Sequence, residues 1–332
     1  MSDIDKAIGM PRGLSTAGGP RLRLAGQGGV LLLAAILLLL PWLLRSGFQY
    51  HMAVMIGIHA VIAIGLNLLV GYAGQISLGH AGFMAIGAYG TAILSSRFGW
   101  PPLLGVVVSA AAAGLLAFAV GRPILRLKGY YLAMATLGLG MIIYLLISNE
   151  VWLTGGPDGL SLPMLSLFGQ DVDSPKVWYG IVAVLLLVAY WMAGNLVNSP
   201  LGRALRSLEG PEALSAAAGV DVSASKVRIF TVSAVVTAFM GGIGALYAGF
   251  ISPKSADFMQ SIELVLMVIL GGMGSIPGAV AGAAIVTLLP QVLTAVEHYE
   301  PLIYGLILIL VMVLMPKGLV PTLAHRLRRS RS

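Results

Sequence analysis

Between residue 29 and residue 315 the chain returns repeatedly to apolar runs close to 20 residues long. Roughly 20 helical residues cross about 30 Å of hydrocarbon, and within lipid every backbone amide needs a protein partner. A chain patterned this way is confined to an all-α, polytopic bundle of membrane-crossing helices. Composition agrees: 58% of residues are hydrophobic and only 10% are charged, with a mean hydropathy of +0.93, whereas soluble domains are about one quarter charged. Candidate spans fall at 29–44, 51–70, 76–95, 102–121, 130–149, 177–194, 229–250, 259–274, 278–296 and 301–315, giving about 8–10 crossings. The 259–274 run is the weakest, because Gly271, Gly272 and Gly274 interrupt it.

The net charge of +7 comes from Lys and Arg placed at the tails and between spans, a distribution that fits orientation in a membrane and not nucleic-acid binding. With the N-terminus inside, Arg122, Arg126, Lys128, Arg203, Arg206, Lys226 and Arg228 fall in inner segments, followed by the basic C-terminus HRLRRSRS. Glu150, Asp158, Asp171, Asp173, Glu297 and Glu300 fall in outer segments. The expected organisation is a cytoplasmic tail at 1–28, a transmembrane domain at 29–320 and a basic cytoplasmic tail at 321–332. No small-x-small cleavage site follows the first run, so it reads as an uncleaved span. The chain has no cysteine, which excludes disulfides, thiolate metal sites and a cysteine nucleophile. Small residues recur at four-residue spacing, as in Gly241, Ala245 and Gly249, or Gly278 and Gly282, or Ala110 and Gly114. That spacing lets helices approach closely in lipid.

Two glycine-rich stretches interrupt the apolar pattern: GYAGQISLGHAG at 71–82 and GGMGSIPGAVAG at 271–282. Irregular backbone survives at membrane depth only where protein covers it or water reaches it, and broken helices in corresponding places point to a transport pathway. The alternative is a tight turn joining two ordinary spans. Gly74 and Gly272 are the candidate break glycines, with added bulk at Gly74 expected to overfill the pathway. The intramembrane polar set is Asn67, Gln75, Ser77, His80, Thr136, Glu263 and Ser275. Such groups usually face the bundle interior or a cavity, so each is open to two roles, helix-to-helix hydrogen bonding or cargo contact. A lone histidine such as His80 is more often a packing residue. Glu263 either meets an ammonium group or fixes the following break by hydrogen bonds, and the second is favoured. His51 and His59 lack a neighbouring carboxylate, which argues against a metal site.

Residues 195–228, NLVNSPLGRALRSLEGPEALSAAAGVDVSASKVR, form a long inner segment with amphipathic helical material. Leu205 and Leu208 with Ala213, Ala216 and Ala217 give apolar faces, Gly210-Pro211 breaks the segment, and Gly219 ends its second half as a C-cap would. It reads either as an interfacial helix or as a docking element for a cytoplasmic partner.

GLNLLVGYAGQISLGHAGFMAIGAYGTAIL resembles the signature of the inner-membrane permease subunits of branched-chain amino-acid ABC importers. RLKGYYLAMATLGLGMII with WLTGGPDGL, SPLGRAL, GALYAG, SIELVLMVILGGMGSIPGAVAGA and PKGLV are similar to the same family in the same order, covering roughly residues 55 to 320. RLKGYYLAMATLG points to the M type of the permease pair. The resemblance implies a bacterial or archaeal plasma-membrane importer subunit for leucine, isoleucine, valine or another small solute such as urea or a short amide. It implies a second homologous permease, cytoplasmic ATP-binding subunits and an external solute-binding protein as partners. It makes the 195–228 segment the ATPase-docking element, with Arg203, Glu209, Glu212, Ala213 and Gly219 as coupling residues; residues 212–214 read Glu-Ala-Leu where the strict pattern is Glu-Ala-Ala. No G-x-x-x-x-G-K-[ST] is present, so ATP, the implied energy source, is expected to act on a separate subunit, and this chain is expected to carry no cofactor and no catalytic residues. A secondary carrier or channel is the other class left open; its expected need for intramembrane ionisable groups weighs against it.

Overall fold

The computed structural model describes residues 21–163, 165–167, 170–171, 174–207, 221–293, 305, 309 and 318–322. Among them five helices are long and apolar enough to cross a membrane, Gly47–Tyr72, Pro102–Ile124, Tyr130–Asn149, Pro175–Asn198 and Val222–Ala248. Shorter apolar helices lie at Gly28–Leu43, Phe258–Gly271 and Ile276–Gln291. The expected span at 301–315 lies outside the described residues apart from 305 and 309, as do both extreme tails and residues 208–220.

Helix starts follow local chemistry. α1 (Arg21–Leu43) turns into α2 (Gly47–Asn67) at Ser46. There the Ser46 hydroxyl accepts from the Gln49 N–H and the Gln49 carboxamide accepts from the Ser46 N–H, a capping box. α2 widens at its end into a π-helical turn, Leu68–Tyr72. α3 (His80–Ser96) is followed by α4 (Pro102–Ile124) and α5 (Tyr130–Asn149), then a one-turn α6 (Val151–Thr154). Pro102 and Pro175 occupy first-turn positions where their missing N–H costs nothing. α7 (Pro175–Asn198) bends into a short amphipathic α8 (Pro200–Ser207). Asp221 caps α9 (Val222–Ala248) through the Ala224 N–H, and Asp257 caps α10 (Phe258–Gly271) through the Phe258 N–H. α11 runs from Ile276 to Leu293.

α2 and α9 form the centre: 78% and 67% of their most apolar stretches are buried, against 28% for α5 and 22% for α7. Close helix approach explains the small residues. A Cβ at Gly241 would collide with the Met84 carbonyl, one at Gly87 with the Ala238 carbonyl, and one at Gly114 with Val235, so α9 lies hard against α3 and α4. A Cβ at Gly282 would likewise strike the Met267 carbonyl, pinning α11 to α10. Gly249 is different from its expected packing role: it ends α9 in the left-handed conformation, with open space where a side chain would stand.

The bundle has two distinct ends. At one, the start of α2, the start of α7 and the end of α9 meet through aromatic contacts: Tyr50 with Tyr179, Trp178 with Tyr247, and His51 stacked on Tyr247 with its Nδ1 2.7 Å from the hydroxyl. An antiparallel pairing of Leu160–Ser161 with Phe250–Ile251 and the donation from Arg97 to the Trp152 carbonyl tie down the loops there. The other end holds both glycine breaks and α8.

Candidate functional site

Two corrections to the expected spans define this end. The run expected as a span from 76 becomes helical only at His80, and the run expected to continue to 274 stops at Gly271. Residues 74–79 and 272–275 are irregular backbone, and the π turn that leads into the first lies against the second at Gly71. Asn67, in the last turn of α2 and 1% exposed, ties the second break to this helix end. Its Nδ2 donates to the Ser275 carbonyl at 2.9 Å, and its Oδ1 accepts from the Gly274 N–H at 2.9 Å. One carboxamide at the end of α2 thus meets two backbone groups of the second break, the Gly274 N–H and the Ser275 carbonyl, which also accepts from the Ala279 N–H. A Cβ at Gly71 would overlap the Gly274 nitrogen and the Asn67 Oδ1, so only glycine lets the two breaks close. Gly318, from the PKGLV stretch, seats on the Gly272 backbone in the same way. Three quoted motifs therefore converge on one point.

The first break is also held from the α5 side. The Thr136 hydroxyl accepts from the Leu78 N–H at 3.0 Å and donates to the Ala133 carbonyl. A Cβ at Gly79 would strike the Thr136 carbonyl, and Gly140 lies against Gly79. At the start of α3 the Ala81 N–H donates to Ser261 on α10 at 3.2 Å. His80 is buried with Nδ1 2.9 Å from Ser77 Oγ and Nε2 2.9 Å from Ser233 Oγ, between the rings of Phe83 and Phe230. Both ring nitrogens are occupied, as the packing reading of a lone histidine requires.

Other expected site residues behave differently. Gln75 is 3% exposed, and its Oε1 and Nε2 have no partner among the described residues. A buried amide left this way costs about 1–3 kcal/mol. Gly74 is exposed with φ +63°, and nothing lies within 4 Å of where its Cβ would stand. Its glycine answers to backbone conformation, and the space beside it is open. Gly272, at φ +118°, ends α10, its N–H donating to the Val268 carbonyl. Ser275 starts α11, its hydroxyl accepting from the Gly278 N–H. Glu263 lies two turns before the break, and its carboxylate meets Gln260 on its own helix at 3.5 Å, so the break-fixing hydrogen bonds are made by Asn67.

α8 flanks the cluster. Leu205 is fully buried, and the Arg206 guanidinium lies 6.0 Å over the Tyr72 ring, at the end of the π-helical turn. Arg203 is exposed and donates to the Asn198 carbonyl at 3.4 Å. Glu209, Glu212, Ala213 and Gly219 lie outside the described residues. The sequence did not single out Gly71, Tyr72, Arg206, Ser233, Ser261 or Gly318 as site residues. Gly71, Tyr72, Ser261 and Gly318 lie in motifs that carry the resemblance and Arg206 in the amphipathic segment, whereas Ser233 had no signal.

The chain is 33% identical over 270 residues to the high-affinity branched-chain amino acid transport system permease protein LivM of Salmonella typhimurium, a match spanning 73% of this chain and 62% of that relative. The chain thus covers less than two thirds of that relative's length. It is 29% identical to the fructose import permease protein FrcC of Rhizobium meliloti, over 57% of this chain and 55% of the relative. It is 25% identical to LivH, the high-affinity branched-chain amino acid transport system permease protein of Escherichia coli K12, over 65% and 72% of the two chains. No solved structure matches. The family model described as the permease component of branched-chain amino acid transport systems matches residues 50–315, a stretch that contains both breaks, Asn67 and α8, and the chain belongs to that family.

Proposed function

We propose that this chain is a permease subunit of an ATP-driven importer in a bacterial or archaeal plasma membrane, and that it forms part of the pathway for leucine, isoleucine and valine. The observation that carries the reading is the family match across residues 50–315. Supporting it, the end with the breaks collects Arg122, Arg126, Lys128, Arg203, Arg206, Lys226 and Arg228, and positive charge marks the cytoplasmic side. In this reading the breaks are the inner ends of the pathway, and Gln75 supplies spare hydrogen-bonding capacity along it.

The remaining subunits follow from the same reading. The chain lacks a phosphate-cradling motif, so ATP hydrolysis belongs to cytoplasmic partners docked at α8 and residues 208–220. Similarity to both LivM and LivH supports a second homologous permease, and an external binding protein delivers the cargo. Similarity to a fructose permease favours one alternative, the same importer class with another small solute. The test is purification of the tagged chain in mild detergent with mass spectrometry of what accompanies it. Co-purification of a second permease and ATP-binding subunits is expected; a chain that purifies alone from its native membrane counts against the reading.

A further inference from the structure

We infer that the Asn67 carboxamide is a latch that makes the two glycine breaks move as one body when α8 is displaced, so that Asn67 is a positioning residue for coupling and not a contact for cargo. The inference rests on the importer reading above.

The geometry runs through a short chain of contacts. α8 is anchored by buried Leu205 and bears on the first break through Arg206 over Tyr72. Its junction with α7 is rigid, because a Cβ at Gly202 would collide with the Val197 carbonyl. Tyr72 closes the π-helical turn Leu68–Tyr72, and Asn67 is the residue immediately before that turn. A π turn inside a helix is a local excess of backbone, common at functional sites, and it can absorb a shift that a regular α-helix would resist. On the far side, Asn67 binds the second break through both polar atoms of its side chain, to two consecutive residues 207 and 208 positions away. Gly71 makes that seat sterically tight, and Gly318 extends it to the last motif. No other side chain among the described hydrogen bonds joins the two breaks.

Coupling between distant sites needs a contiguous physical element with two arrangements. Here the element is the 272–275 turn, which hangs from Asn67 and lies at the junction of α10 and α11. A push on α8 shifts Tyr72 and the π turn; the latch carries the second break with them, and α10 and α11 follow. Without the latch the first break moves alone, and ATP is hydrolysed while the pathway stays shut.

The experiment is performed on the complete importer in proteoliposomes, comparing Asn67→Ala with Thr287→Ala, which removes the 2.9 Å contact to His59 between α2 and α11 away from the breaks. Leucine uptake and ATP hydrolysis are measured per assembled complex. Asn67→Ala is expected to retain ATP hydrolysis and to lose about tenfold or more in uptake per ATP, with Thr287→Ala close to the parent. Parent-like uptake per ATP in Asn67→Ala overturns the latch, as does an equal loss in Thr287→Ala. Should Asn67→Ala not assemble, the second measurement decides. Spin labels at Ile76→Cys and Met273→Cys, both exposed sites in a cysteine-free chain, report the distance between the breaks in the otherwise unaltered complex. An unchanged distance on ATP binding supports the latch, and separation on ATP binding refutes it. Absence of ATP-driven uptake by the parent complex would instead sink the importer reading.

Discussion

At Gly71 a Cβ would meet the Gly274 nitrogen and the Asn67 Oδ1, whereas at Gly74 it would meet nothing and the constraint is φ +63°. The two glycines are required for unrelated reasons, and stability measurements separate them. Gly71→Ala overpacks a tight backbone contact, at a cost of about 1–3 kcal/mol. Gly74→Ala places a side chain in left-handed backbone, at about 1–2 kcal/mol. The magnitudes overlap, so the discriminating measurement is a double-mutant cycle by chemical unfolding in detergent. Gly71→Ala and Asn67→Ala share one contact and should couple by about 0.5–3 kcal/mol, whereas Gly74→Ala and Asn67→Ala should add. Gln75 poses the opposite case, a buried amide with no partner among the described residues. Gln75→Leu is expected to raise the thermal midpoint, because it removes an unmet desolvation cost of about 1–3 kcal/mol, and to slow uptake. A lowered midpoint would mean that the amide already has a partner.

Among the elements, the starts expected at 102, 130, 177 and 259 fall within two residues of Pro102, Tyr130, Pro175 and Phe258. The span expected from 229 begins instead at Val222, because Asp221 caps a turn too polar for hydropathy to mark. Asp221 also marks where α9 leaves the segment at 208–220, so Asp221→Ala should cost about 1 kcal/mol. Faster amide exchange confined to the first turn of α9 would register it, with the rest of that helix unchanged. The start of α3 was read four residues early, because hydropathy does not distinguish a helical turn from covered irregular backbone in QISLGHAG. The roles of Asn67 and Ser233 were not legible at all: each acts on a group more than 150 residues away, through contacts that spacing along the chain does not encode. Glu263 was misread for a related reason. Its nearness in sequence to the second break suggested that it held the break, but helix geometry turns it toward Gln260.

For the molecule as a whole, the central pair α2 and α9 explains how a chain with few charged residues keeps a defined interior. Glycines let backbones touch where α9 crosses α3 and let side chains seat on backbone where it crosses α4, and in lipid that packing replaces the hydrophobic effect. The peripheral α5 and α7 leave most of their apolar surface uncovered, available to lipid or to neighbouring subunits. The two ends differ in chemistry as well as shape. Aromatic stacking ties one end together, and the other gathers the breaks, α8 and the run of Arg and Lys. That polarity fits a transporter driven from one side. The most direct test of the central claim is uptake of labelled leucine into proteoliposomes holding this chain with its co-purified subunits and binding protein, with ATP present or absent on the side of the ATP-binding subunits. Accumulation that requires ATP and the binding protein is the predicted result. Leucine movement that is indifferent to ATP would contradict it and place the chain among carriers or channels.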